Sequence, residues 1–165
     1  MEYDARKHRD TRFTTAVSEE KMSEQDYAVT CFTDGFNCAQ AVLSSHSEEF
    51  GLTREMAFKV AGAFGSGMGQ IGGTCGAVTG ALMLIGLKYG KFIKSDTESK
   101  DRAYACVKRY TDEFRKEHGS IECTDLIRFD LSDPEALAAA RKAGVFQSVC
   151  PKLVASSVRI VESLL

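Results

Sequence analysis

Six cysteines stand at positions 31, 38, 75, 106, 123 and 150 of a 165-residue chain, more than packing alone asks for. The segment GGTCGAVTG, residues 72–80, sets one of them, Cys75, among glycines and runs straight into the apolar ALMLIGLKYG. A glycine inside a helix costs roughly 1 kcal/mol against alanine, so close packing or chemistry at Cys75 must offset it. A cysteine acts as nucleophile or metal ligand only as thiolate. The amino-terminal MEYDARKHRD is charged and lacks the apolar stretch of a secretory signal. A reducing, cytoplasmic compartment is therefore expected, where such cysteines serve catalysis or metal binding more often than structural disulfides.

The elements that must position these sulfurs read as helices. The chain is 44% hydrophobic and 27% charged, with two prolines and no tryptophan, which suits a single-domain, all-α irregular bundle of about seven helices. Residues 1–17 read as a mobile extension and 18–165 as the helical domain. Start signals follow in order: Asn37 before CAQAVLSSHSEEF, Thr53 before REMAFKVAGAF, Thr74 before the Cys75 helix, Ser95 or Asp96 before a long charged helix with apolar teeth at Ala103, Val107, Tyr110 and Phe114. Ser120 precedes IECTDLIRF, Ser132-Asp133-Pro134-Glu135 opens another helix, and Cys150-Pro151 the last. Residues 65–74, GSGMGQIGGT, form a glycine-rich loop.

On that map Cys38, Cys75, Cys123 and Cys150 each lie at the start of a helix. A helix N-terminus carries partial positive charge and unpaired N–H donors, which predicts lowered thiol pKa values. The four are expected to converge, with Cys75 the first choice for the reactive thiolate. Gly72 and Gly73 allow an unusual turn, and Gly76 and Gly80, one helical turn apart, admit a second helix or a cofactor. Cys106, in mid-helix, and Cys31, near a helix end, read as core thiols.

CGAVTG at 75–80, FNCAQAV at 36–42 and the later single cysteines Cys123 and Cys150 together resemble the C-GCAxxG-C-C family, described as redox-active proteins. The likeness runs over roughly residues 23–163. It implies a redox role carried by Cys38, Cys75, Cys123 and Cys150, with Cys31 and Cys106 outside the pattern, and an unidentified redox partner. The chemistry stays open between three readings. One is thiol–disulfide or electron-transfer chemistry by a thiol-dependent oxidoreductase. Another is an iron–sulfur cluster or zinc ion held by the four cysteines, a case weakened for zinc by the lack of any closely spaced ligand pair. The last is inert structural cysteines.

Other function classes find little support. Gly67-Met68-Gly69-Gln70-Ile71-Gly72 spells a dinucleotide fingerprint, but no strand signal precedes it and no βαβ pattern surrounds it. The formal net charge of −2 argues against a nucleic-acid partner. The uncharged stretch 60–87 is interrupted by glycines and Gln70, so a buried central helix is expected and not a membrane span. Its small residues leave room for association with a second copy, a homodimer. His8, His46 and His118 stand at no spacing that pairs them with a cysteine.

Overall fold

The computed structural model describes residues 22–165, so the expected extension over residues 1–17 lies outside the described residues. Helices α1 (Glu24–Thr33), α2 (Cys38–His46) and α3 (Arg54–Ala61) come first, followed by a short turn, α4 (Gly65–Met68). Then come α5 (Gly76–Tyr89), α6 (Thr97–His118), α7 (Cys123–Ile127), α8 (Pro134–Lys142), α9 (Val145–Ser148) and α10 (Cys150–Glu162). The protein is all-α: seven of these helices have eight or more residues, and the described residues contain no strand, only one isolated bridge between Thr74 and Glu122.

The starts follow side-chain chemistry. Asn37 accepts from the Gln40 N–H while the Gln40 side chain accepts from the Asn37 N–H, a reciprocal capping box. Thr53, Asp96 and Asp133 cap α3, α6 and α8. Two expected caps are displaced. Cys75, not Thr74, is the N-cap of α5, because Thr74 is held extended by its bridge to Glu122. Glu122, not Ser120, is the N-cap of α7; the Ser120 hydroxyl instead donates to Asp125 and accepts from the Glu122 N–H.

Helix α5 is the axle. Residues 76–81, Leu84 and Ile85 are buried, and the helix packs against α2, α6 and α10. It has no polar face over its first half, as expected of a helix enclosed on all sides. Helix α10 is amphipathic and buries Leu153, Val154, Ser157, Val158, Ile160 and Val161. Helix α6 buries Ala103, Cys106, Tyr110 and Phe114 along one stripe. Between α6 and α10 the fully buried Tyr110 hydroxyl lies 2.8 Å from Ser157 Oγ, and Ser157 donates to the Ala77 carbonyl at 2.7 Å. That chain satisfies two buried hydroxyls and fixes the first turn of α5.

The loop before α5 is less ordinary than its glycines suggest. Ser66, Gly67, Met68, Gly69 and Gln70 all have positive φ, between 54° and 75°. They form a left-handed turn closed by Gly69 N–H donating to the Gly65 carbonyl at 2.8 Å. L-residues pay about 1–2 kcal/mol each for this conformation. Gln70 is exposed and buries nothing in return. Gln70→Gly is therefore expected to raise stability by about 0.5–1 kcal/mol, and Gln70→Val to lower it, in urea unfolding monitored by circular dichroism.

Candidate functional site

The left-handed turn allows two distant segments to meet. Gly67 accepts from the Gly73 N–H at 3.1 Å, and a Cβ at Gly67 would stand 2.7 Å from Cys123 Cβ. Residues 72–75 then pair with 121–124: Cys75 N–H donates to the Ile121 carbonyl at 2.8 Å, and Cys123 N–H to Gly73 at 2.7 Å. The Thr124 hydroxyl donates to the Gly72 carbonyl at 2.9 Å, where a Cβ on Gly72 would lie 2.3 Å from that hydroxyl. This pairing sets Cys75 and Cys123 side by side. On the other flank a Cβ at Gly76 would come within 3.1 Å of Cys38 Cβ, so the absence of one lets α2 and α5 close. Helix α10 delivers Cys150 from the opposite end of the chain.

The outcome is one cavity of about 160 Å³, lined by Cys38, Cys75, Cys123 and Cys150 with Phe32, Asn37, Ser66, Gly76, Ile127, Phe146 and Leu153. The four cysteines expected to converge do so, each at the start of its helix: Cys75 as N-cap and the others as first helical residues. All four are free thiols and between 2% and 8% exposed. Of the four glycines singled out beside them, Gly76 alone lines the cavity. Gly72 and Gly73 hold the 121–124 segment, and Gly80 seats α5 on Ala39 and Val42 of α2. Cys31 and Cys106 are buried elsewhere, beside the Ser44 hydroxyl and the Leu164 carbonyl. Among the described residues no charged side chain lines the cavity.

The expected lowering of the four thiol pKa values is overturned for three of them. Burial pushes Cys75 up to about 11, against an opposing pull from the Ala77 and Val78 amides at the start of α5. Burial, with the neighbouring Cys75 and Cys150 sulfurs, pushes Cys123 up to about 12. Cys38 is raised by its interaction with the Cys150 sulfur and by burial. Cys150 alone is lowered, by the same interaction against the cost of burial. Removing a thiolate from water outweighs the helix-end field here. Of the four, Cys150 is the one whose thiol is pulled down, whereas Cys75 is pushed up.

Neither His46 nor His118 joins the site. His46 is buried at the far end of α2, with Nδ1 2.9 Å from Ser45 Oγ and Nε2 3.3 Å from Glu162. Burial lowers the His118 pKa, and its ring lies 4.6 Å from that of Phe114.

The family model described as "Putative redox-active protein (C_GCAxxG_C_C)" matches residues 36–164. The chain belongs to this family. The match begins at Phe36, just before Cys38, and takes in all four cavity cysteines, so a general redox role accompanies the geometry. Comparisons with curated proteins and with solved structures gave no match. Among the described residues no helix is long and apolar enough to cross a membrane.

Proposed function

We propose that Cys38 and Cys150 are a reversible dithiol–disulfide couple, and that the protein is a thiol-dependent oxidoreductase. The observation that carries this reading is the convergence of buried Cys38 and Cys150, from two separate helices, on one cavity, where their interaction pushes the Cys38 thiol up and pulls the Cys150 thiol down. A thiolate next to a thiol proton donor is the arrangement in which one sulfur attacks and the other resolves. Closing the S–S bond from two thiols releases two protons and two electrons to an acceptor; reduction reverses it. Cys75 and Cys123, held as thiols, complete the wall and can take over the bond by exchange.

A second reading rests on a different observation. Four separate elements each bring one sulfur to one cavity, the number of ligands that an iron–sulfur cluster takes. A single zinc ion is less well served, since among the described residues no three His, Cys, Asp or Glu side chains are grouped to hold one ion.

Protein purified without air and analysed for iron, labile sulfide and free thiols separates the two. The dithiol reading expects no stoichiometric iron, and two thiols lost on mild oxidation, mapped by mass spectrometry to Cys38 and Cys150 and recovered with reductant. Stoichiometric iron with sulfide would replace it by the cluster reading. A disulfide mapped to any other pair would reject the assignment of Cys38 and Cys150.

A further inference from the structure

We propose that the oxidant meeting this dithiol is a small, neutral hydroperoxide, and that peptide disulfides are turned away. The inference rests on the dithiol reading and names its substrate class. Three features of the cavity carry it.

The first is size. About 160 Å³ of space and cysteine residues no more than 8% exposed leave no in-line approach for a disulfide carried by peptide arms. A thiolate must reach a disulfide along the S–S axis; a hydroperoxide needs room for only two oxygens. The second is charge. Among the described residues the lining offers no cation to receive a carboxylate, and Cys75 and Cys123 both feel the Glu122 carboxylate. Peptide disulfides such as oxidised glutathione carry carboxylates and would meet desolvation without a partner. The third is Ser66. It lines the cavity in a left-handed conformation, φ 54°, and among the described residues its hydroxyl has no hydrogen-bond partner. The other polar side chain of the lining, Asn37, is committed to the Gln40 N–H and to the carbonyls of Ala61 and Gly62. Ser66 is half-buried, and with Asn37 committed its hydroxyl is the polar side-chain group of the lining left to a small polar guest.

The step balances within these groups. Cys150 thiolate attacks one peroxide oxygen and the O–O bond breaks. The departing oxygen takes the Cys38 thiol proton and leaves as water (or as an alcohol from an organic hydroperoxide), giving Cys150 sulfenic acid and Cys38 thiolate. Cys38 then attacks the Cys150 sulfur; the S–S bond forms, and the departing hydroxide takes a proton from solvent and leaves as water. The dithiol loses two electrons and the peroxide gains them.

The test compares reduced wild-type protein with its urea-unfolded chain, whose thiols are all open. Thiol loss is followed with hydrogen peroxide, cumene hydroperoxide and oxidised glutathione, each rate expressed as native over unfolded. Hydrogen peroxide is expected to give a ratio near or above one, cumene hydroperoxide a lower one, and oxidised glutathione a ratio at least about 100-fold below that of hydrogen peroxide. Cys38→Ser should leave a dimedone-trappable sulfenic acid on Cys150. Ser66→Ala, which keeps the backbone demand unchanged, should lower the hydrogen peroxide ratio by about 10-fold and leave the glutathione ratio alone. Equal ratios for hydrogen peroxide and oxidised glutathione would overturn the proposal. Slow equilibration with oxidised and reduced dithiothreitol tells the two levels apart. If a Cys38–Cys150 disulfide forms there while peroxide selectivity is absent, the substrate class fails and the dithiol stands. If no such disulfide forms, both fail.

Discussion

Gly80→Ala is expected to lower the stability of the fold by about 2–3 kcal/mol and to open the cysteine cavity. A Cβ at Gly80 would lie 2.8 Å from the Ala39 carbonyl oxygen, 2.9 Å from Val42 Cβ and 3.3 Å from Ala39 Cα. Two of those three atoms are helix backbone, which cannot rotate aside, so α2 as a whole must move away from α5. Cys38 is the first residue of α2, and displacement of that helix carries Cys38 away from Cys75. The expected result is therefore a lower urea midpoint together with faster alkylation of the cavity thiols. Gly86→Ala is the control. It lies in the same helix with nothing within 4 Å of its Cβ position, and should stabilise by about 0.5–1 kcal/mol. A Gly80→Ala variant as stable as wild type would show that α5 does not ride this closely on α2.

That contrast bears on what could be read from the residues alone. The pair Gly76 and Gly80 signalled a helix face open to close approach, but not what approaches. A long-range fact decides it: the backbone of α2 fills the space at both positions. Caps were legible where one side chain closes its own turn, as at Asn37, Thr53 and Asp96. They were misplaced at Thr74 and Ser120, because Thr74 and Glu122, 48 residues apart, are bridged to each other. The helix-start placement of the four cysteines was visible from capping and proline signals, and the family resemblance singled out the same four. Their ionisation was not visible. Local sequence carries the helix-end field, which favours thiolate, whereas burial is a property of the assembled core and opposes it. The left-handed turn was hidden for a related reason. Glycine at 67 and 69 permits positive φ, but nothing in Ser66, Met68 or Gln70 asks for it; the pairing of Gly67 with Gly73 and the closeness of Cys123 impose it.

Stability is expected to fall as pH rises from about 9 to 12, and much of the fall should be traceable to the cavity. An unfolded thiol loses its proton near its ordinary value of 9.0, whereas burial holds Cys75 to about 11 and Cys123 to about 12. Below pH 9 both states are protonated and the full stability is present. Between 9 and 11 the unfolded chain binds fewer protons than the native one, so stability declines with each step in pH. For Cys75, which is nearly inaccessible, a shift of two units corresponds to about 2–3 kcal/mol lost across that window. Cys150 works in the opposite sense, because its native pKa is lowered; its contribution is present above the unfolded value and offsets part of the decline. Urea midpoints under reductant from pH 7 to 12, for wild type and Cys75→Ala, check this. The variant should have a shallower alkaline limb, and identical limbs would mean that the Cys75 sulfur is not held out of water. Tyrosines titrating in the same range affect both proteins alike, so the difference between the limbs isolates the sulfur. Burial opposes charge on every sulfur of the cavity, Cys150 included, and it is the interaction with Cys38 that pulls the Cys150 thiol down against it.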